Sequence, residues 1–135
     1  MTSPTNLAVK RRTDARLDTA LAILKQKFGE RLSTAEAVRN QHGKGEDHFP
    51  VLPPDAVIFA ESTEDVAEAV RVCAEHKVPV IPFGTGTSLE GHIGAIEGGI
   101  SLDVSRMNQV LEVNAEDLDC RVQAGVTRKA LNEYL

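Results

Sequence analysis

A glycine-rich segment is the part of this 135-residue sequence whose residue types could do chemistry. Six glycines lie between residues 84 and 99, and Thr85, Thr87 and Ser88 stand among the first of them. Glycine lets a backbone take positive φ or come close to a ligand, and successive N–H groups in such a turn form a concave site for an anion. Because hydroxyl side chains add neutral donors, the segment predicts a phosphate-binding loop.

Two familiar phosphate loops do not match this segment. The P-loop of ATPases and GTPases needs glycine followed by lysine. Here Gly86 is followed by Thr87, and no lysine or arginine lies between Gly86 and Arg106. The dinucleotide fingerprint G-x-G-x-x-G, begun at Gly84, needs glycine where Leu89 stands and should open into a helix. The glycines alone also leave open a surface loop or linker without a ligand.

Composition and charge restrict the class of partner. The chain is 41% hydrophobic and 26% charged, which is typical of one soluble globular domain. Its net charge of -5 and pI near 5.3 argue against the basic face that binds nucleic acid or anionic membranes. We therefore expect no nucleic-acid partner, and a phosphate ligand must be held by neutral donors.

Histidine and cysteine residues are the other candidates for chemistry. We expect His92 to bond to loop carbonyls, with contact to a phosphate ligand as the alternative, because no partner base stands at a telling spacing. His42 and His48 occupy a polar stretch with irregular spacing, so we expect a solvated loop there and not a metal site. Cys73 and Cys120 lack C-x-x-C spacing and are predicted to be small buried residues.

The elements that must position the glycine segment follow from apolar spacing. Short apolar runs at 56–59 and 78–82 predict two buried strands. Between them Ser62 can cap a helix, with Asp65 three residues on, and that helix should end near His76. Its predicted buried face consists of Val66, Ala69, Val70 and Cys73. The three elements form a right-handed βαβ unit with parallel strands, and the glycine segment begins at the carboxyl end, where ligands bind.

A helix and a loop are predicted before this unit. The helix is indicated by apolar residues at helical spacing, namely Leu17, Leu21, Leu24 and Phe28. Gly29 is placed to end it. Ser33 and Glu36 have the capping-box spacing for a second, short helix, and residues 41–54 are predicted to be a long loop. Residues 1–12 carry no period.

A second group of strands is predicted after the glycine segment. Residues 100–103 form one strand, and 110–114 with 119–124 form a hairpin around a turn rich in Asn and Asp. Thr127 then begins a helix whose apolar pattern continues to Leu135, so we expect a domain truncated at its C-terminal end. The predicted fold class is α+β, with a small parallel βαβ sheet, flanking helices and the start of a second mixed or antiparallel sheet.

The glycine segment resembles that of a known family. The run from Val80 to His92, which reads V-I-P-F-G-T-G-T-S-L-E-G-H, resembles the pyrophosphate loop of the FAD-linked oxidases of the vanillyl-alcohol oxidase and p-cresol methylhydroxylase superfamily. Further similar stretches are Pro53–Val57, Ser62–Val66, Ser101–Asn108 and Gly125–Lys129. Within the superfamily the chain is most similar to the branch of cytochrome-linked D-lactate dehydrogenase, the glycolate oxidase flavin subunit and D-2-hydroxyglutarate dehydrogenase.

The resemblance implies a p-cresol methylhydroxylase-type fold and an FAD site. Its implied contacts are Pro82, Phe83, Gly84, Thr85, Gly86, Thr87, Ser88, Gly91 and His92 around the pyrophosphate, with Ala124, Gly125 and Val126 near the flavin. Members that attach flavin covalently carry histidine where Thr87 stands, so the resemblance implies noncovalent FAD. Two departures from the family pattern are Thr85 in place of glycine and Gln123-Ala124 in place of Glu-Pro.

The resemblance also implies an activity. In that family FAD takes a hydride from the hydroxyl-bearing carbon of a substrate, here a small D-2-hydroxy acid of the lactate, glycolate or 2-hydroxyglutarate type. The family's substrate residues and histidine-rich metal site lie in later parts of a longer chain, so we expect no catalytic residue or metal ligand here. We therefore predict a helical lead-in over 1–50 and the first part of an FAD-binding domain over 51–135, inactive alone. The alternative is a self-standing α/β binding module without flavin.

Location and assembly are predicted from apolar runs. No run approaches the roughly 20 residues that span a bilayer, and no secretory signal is evident, so we expect a cytoplasmic protein, with peripheral membrane association of the complete protein as the alternative. Leu131, Tyr134 and Leu135 have no covering element in the sequence. Because such faces promote association, we expect a homo-oligomer through the face that truncation leaves open.

Overall fold

The computed structural model describes residues 15–135, so predictions for the first twelve residues lie outside the described part. Helix α1 spans Ala15–Phe28 and buries Leu17, Ala20, Leu24 and Phe28. A single 3-10 turn, Gly29–Arg31, and a short strand β1, Leu32–Ser33, follow it. Gly29 has φ +57°, a conformation that glycine adopts readily at the end of a helix. The predicted first helix and its terminator are confirmed.

Helix α2 spans Glu36–Gly43, and its start and end differ from the prediction. Ser33 lies in β1 and does not cap the helix; its hydroxyl accepts a hydrogen bond from the Ala35 amide instead. The predicted loop begins after Gly43 and not at Gln41. A contact with the following loop explains why the helix continues to Gly43. The Gly43 carbonyl accepts from the Leu52 amide at 3.0 Å, and a Cβ at position 43 would not fit against the backbone there.

The main sheet has four strands in the order β1-β2-β4-β3. Strands β2 (Ala56–Phe59), β3 (Val80–Phe83) and β4 (Ile100–Asp103) are parallel, and β1 pairs antiparallel with β2. The two strands of the predicted βαβ unit are parallel but not neighbours, because β4 pairs with both of them. All four residues of β4 are buried, which suits a strand with hydrogen-bonded neighbours on both sides.

Helix α3, Thr63–Glu75, covers one face of this sheet together with α1. As predicted, the Ser62 hydroxyl accepts from the Asp65 amide at 3.1 Å, and the helix ends before His76. Its buried residues are Ala69, Val72 and Cys73. Val70 is 44% exposed, so its predicted burial is wrong. At 100° per residue, Val72 shares the inward face with Ala69 and Val70 does not.

One hydrophobic core joins the lead-in to the sheet. Leu24 and Phe28 of α1 pack in the same cluster as Ile58 of β2, Val72 of α3 and Ile100 of β4. The division of the chain at residue 50 stays a prediction, and the helices before it are part of this core.

The C-terminal part forms the predicted second sheet. Strands β5 (Val110–Asn114) and β6 (Asp119–Val122) make an antiparallel pair, and helix α4 spans Arg128–Tyr134 with Thr127 as its cap. Cys120 on β6 is exposed, so its predicted burial is wrong, because a two-stranded pair buries neither face fully. The mixed α/β architecture confirms the predicted fold class. Within residues 15–135, no helix is long and apolar enough to cross a membrane.

Candidate functional site

The glycine-rich segment lies at the carboxyl edge of the main sheet. Strand β3 ends at Phe83, whose register partner is Asp103, the last residue of β4. Because parallel strands present their carboxyl ends at one edge, the loop from Gly84 begins beside the end of β4. Residues 84–99 contain no helix or strand and lead back into β4. The structure thus places the segment where ligands bind in sheets of this kind.

The first turn of the segment presents a row of unpaired backbone donors. Within residues 15–135, the amides of residues 85–88 meet no hydrogen-bond acceptor. Gly86 has φ +72°, which turns the chain within this row. The hydroxyls of Thr85 and Thr87 lie 2.9 Å apart, oxygen to oxygen. Neighbouring N–H groups without partners, flanked by hydroxyls, form a site that suits an anion.

Glycine at position 86 is favoured by shape as well as by φ. A Cβ built on Gly86 would lie 2.8 Å from the ring of Phe83, which is closer than real Cβ contacts. A Cβ on Gly84 would meet nothing within 4 Å. Gly86 is therefore in close contact with the last side chain of β3, whereas Gly84 borders open space.

The second turn of the segment is organised by Ser88 and His92. The Ser88 hydroxyl lies 2.8 Å from Nδ1 of His92 and 3.4 Å from the Glu90 amide, which donates to it. His92 is exposed, and its partner is this hydroxyl, not the expected loop carbonyl. Gly91 has φ +73° and packs against the Phe49 ring. These bonds hold the second turn beside the first.

The segment leaves the paired strand β3 at one end and is anchored by hydrogen bonds at the other, which argues against a free linker. The Ala95 amide donates to the Leu52 carbonyl at 3.0 Å. Asp55 and Gly99 exchange two bonds, in which the Gly99 amide donates to the Asp55 carboxylate at 2.7 Å and the Asp55 amide donates to the Gly99 carbonyl at 2.8 Å. The unpaired donors of the first turn therefore belong to a loop that the fold holds in place.

Three of the predicted contact residues cannot donate from their backbone. Pro82, exposed on the edge strand β3, has no amide proton. The Gly125 amide is already bonded to the Met107 carbonyl at 2.8 Å, and the Val126 amide to the Gln123 carbonyl at 3.1 Å. The donor series in the loop therefore begins after Pro82.

The turn at 124–126 lies at the same edge of the sheet as the loop. Gly125 packs so closely against the Val104 carbonyl that a Cβ would not fit. The Val104 amide in turn donates to the Phe83 carbonyl at 3.0 Å. The structure thus brings 124–126 against the chain that follows β4. Val104 lies between this turn and the start of the glycine segment.

His42 is a residue that the sequence analysis misjudged. The predicted solvated loop is wrong for His42, which lies in the last turn of α2 with 3% exposure, and right for the exposed His48. Nε2 of His42 lies 2.7 Å from the Asp103 carboxylate, and Nδ1 lies 2.8 Å from the Val38 carbonyl. The sequence does contain one signal for this burial, namely Val38, an apolar residue four positions earlier and therefore on the same face of the helix.

The charges at this edge are unusual for a phosphate site. No lysine or arginine occurs from residue 78 to 105. Burial by itself would raise the pKa of Asp103. Hydrogen bonds from His42 and Ser105 together have a larger, opposite effect, so the carboxyl pKa lies below its ordinary value. Among the residues from 15 to 135, no group of three His, Cys, Asp or Glu side chains could hold a metal ion.

Comparisons with known proteins agree with this geometry. The chain is 46% identical over 106 residues to a probable mitochondrial D-lactate dehydrogenase of Danio rerio, covering 78% of this chain and 21% of the relative. It is 43% identical over 88 residues to D-2-hydroxyglutarate dehydrogenase of Escherichia coli, covering 62% of this chain and 8% of the relative. The chain thus spans about a fifth or less of the length of these relatives.

A solved structure shows the fold. The crystal structure of p-cresol methylhydroxylase with substrate bound superposes with a TM-score of 0.80 at 22% identity, covering 90% of this chain and 25% of the other. The predicted p-cresol methylhydroxylase-type fold is therefore confirmed. A family model described as an FAD binding domain matches residues 54–135, and the unpaired amides with flanking hydroxyls fit a pyrophosphate, so this chain belongs to the FAD binding domain family.

Proposed function

We propose that the turn from Gly84 to Ser88 binds the pyrophosphate of FAD. The observation that carries the proposal is the row of four backbone amides, residues 85–88, that have no acceptor within the described part of the chain. Two of these residues, Gly86 and Ser88, are half-buried, where backbone donors are normally paired, and the family binds a ligand whose diphosphate supplies acceptors. The hydroxyls of Thr85, Thr87 and Ser88 add donors without adding charge.

The remaining predicted contacts have separate roles in this proposal. Gly91 and His92 close the second turn around the diphosphate, with the Ser88 hydroxyl fixed by His92 Nδ1. Pro82 and Phe83 form the end of the strand that carries the loop. Ala124, Gly125 and Val126 approach the flavin from the neighbouring turn. FAD is held noncovalently, because Thr87 has no side-chain nucleophile comparable with histidine.

The complete protein is proposed to oxidise a small D-2-hydroxy acid to the 2-oxo acid. The names of the similar dehydrogenases support this substrate class, of the lactate, glycolate or 2-hydroxyglutarate type. Bound FAD supplies the hydride acceptor. The residues of this chain bind the cofactor and hold it at the sheet edge, and we assign no catalytic residue or substrate contact to them. The isolated chain is proposed to be inactive.

A flavin titration tests the proposal. We expect the purified chain to quench FAD fluorescence saturably and to melt at a higher temperature when FAD is present, because a ligand of the folded state stabilises it. Gly86→Val should abolish both effects, since its side chain would meet the Phe83 ring.

Gly29→Val is the matched control for this titration. Gly29 also has positive φ, +57°, but a Cβ there meets nothing within 4 Å, and Gly29 lies in the 3-10 turn after α1. It should lower stability and keep FAD affinity. Absence of FAD binding by the unaltered chain would favour a binding module without flavin.

The cellular location and the oligomeric state of the protein are separate proposals. We propose a cytoplasmic protein, with peripheral membrane association of the complete protein as the alternative, and a homo-oligomer through the exposed apolar residues of the C-terminal part. Tyr134 is 64% exposed and Leu135 69%, which supports association through this face. Sedimentation of the chain and of Leu135→Glu would test the oligomer, since the charge should reduce the sedimentation coefficient if this face associates.

A further inference from the structure

A buried histidine and aspartate lie at the start of the glycine segment, outside the proposed phosphate contacts. His42 in α2 is 3% exposed, and Asp103 at the end of β4 is 4% exposed. Nε2 of His42 lies 2.7 Å from Oδ2 of Asp103. Burying two such groups is unfavourable unless each finds partners. The pair therefore needs an explanation in terms of what it holds.

Hydrogen bonds hold the His42 ring from both of its nitrogens. Nδ1 of His42 faces the Val38 carbonyl, which can only accept, at 2.8 Å. Nε2 faces the Asp103 carboxylate, which also accepts when ionised. The other carboxylate oxygen accepts from the Ser105 amide at 2.8 Å. Each ring nitrogen of His42 therefore faces an acceptor, and each oxygen of the Asp103 carboxylate has a partner, so all four polar atoms of the buried pair are satisfied.

A continuous series of contacts leads from this pair to the loop. The His42 ring centroid lies 4.3 Å from that of Phe83 and 5.7 Å from that of Phe59, which it meets edge-on. The Phe83 ring occupies the space where a Cβ on Gly86 would lie, at 2.8 Å. Asp103 therefore fixes His42, His42 packs on Phe83, and Phe83 contacts the turn that carries the unpaired amides.

We infer that His42 is a positioning residue for the phosphate-binding turn. Held by Asp103, its ring keeps Phe83 against Gly86 and so keeps the neighbouring amides turned toward a bound diphosphate. The inference rests on the proposed function for its ligand, but its structural part concerns the chain without FAD. The competing possibility is that the pair only joins α2 to the sheet.

Two leucine variants separate these possibilities. Phe83 and Phe59 each end a parallel strand, are half-buried and contact the His42 ring, but only Phe83 touches Gly86. Phe83→Leu should weaken FAD binding about tenfold, a loss of the size that outer contacts produce at other sites. It should also shift the amide resonances of residues 85–88 in the chain without FAD. Phe59→Leu should leave both within experimental scatter.

A second pair of variants tests the role of Asp103. In Asp103→Asn the amide oxygen can accept from Ser105 and the amide nitrogen can donate to Nε2 of a neutral His42 ring, so the ring stays in place. FAD affinity should then be retained, whereas Asp103→Leu should lose about tenfold.

Each outcome decides the inference. Equal effects of Phe83→Leu and Phe59→Leu, or equal FAD affinity of folded Asp103→Leu and Asp103→Asn, would overturn the positioning role. If Asp103→Leu does not fold, the two phenylalanine variants decide alone. If the unaltered chain does not bind FAD, the proposed function fails, and the amide shifts of residues 85–88 without ligand still test whether His42 and Phe83 position the turn.

Discussion

At the scale of single residues, environment and not residue type decides what a side chain can do. Cys73 and Cys120 look alike in the sequence, but Cys73 is 1% exposed in the core and Cys120 is exposed on the hairpin. His42 and His48 differ in the same way, since one is paired with Asp103 and the other lies in a loop. Chemical reactivity should follow these environments.

We predict that one thiol reacts in the folded chain. Burial raises the pKa of Cys73 to about 11, so almost none of its thiol is ionised near neutral pH, and the thiolate is the reactive form. Iodoacetamide at pH 8 should modify Cys120 and spare Cys73, as read by peptide mass spectrometry. Unfolding in urea should make both react, and equal labelling in the folded chain would contradict the buried position of Cys73.

At the scale of elements, the start of α3 is fixed by side chains from two parts of the chain. Ser62 caps the helix from within the local sequence, and Asp65 reaches Arg31 in the 3-10 turn at 2.5 Å as well as the Glu61 amide at 2.9 Å. The hydrogen bond from Arg31 is the main cause that holds the pKa of Asp65 below its ordinary value, against the opposing effect of burial.

Asp65→Asn should therefore destabilise the chain in a pH-dependent way. A carboxyl with a lowered pKa stabilises the fold above its unfolded pKa, about 3.9, and this contribution is lost as the pH falls through the folded value. We expect a loss of about 1 kcal/mol in the free energy of unfolding at pH 7 for this partly exposed pair. The difference from the unaltered chain should disappear in acid, as measured by urea unfolding.

Ser62→Ala provides the control for that measurement. It removes the hydrogen bond from the Asp65 amide to the Ser62 hydroxyl, a helix cap worth about 1 kcal/mol, without removing a titrating group. Its destabilisation should persist at acid pH while that of Asp65→Asn fades. The same pH dependence in both variants would mean that Asp65 does not act through its charge.

At the scale of the whole molecule, the proposed site joins an anionic cofactor to an acidic chain through neutral backbone amides. The net charge is -5, and residues 78–105 contain no lysine or arginine. Salt weakens attraction between separated charges, but it has little effect on hydrogen bonds from neutral amides. The Kd for FAD should therefore change less than about threefold between low and high salt, as measured by fluorescence titration in sodium chloride. A steep rise of Kd with salt would show that a cationic side chain holds the diphosphate.

The local features of this protein follow from its sequence alone. Apolar spacing located α1, Ser62 marked the start of α3, and the glycines with their hydroxyl neighbours marked the loop. These features depend on short-range physics, namely side-chain period, capping and the conformational freedom of glycine. Resemblance to FAD-linked oxidases then led to the cofactor, which the family match confirms.

The contacts between distant segments, in contrast, depend on the assembled fold. Strand β4 lies between β2 and β3, although 16 residues separate β3 from β4 in the sequence. That arrangement brings Asp103 next to His42, 61 positions apart, and turns a polar histidine into a buried partner of the loop. Propensity cannot predict such pairs, because sheet order and burial depend on the total apolar area and hydrogen bonding of the assembled chain.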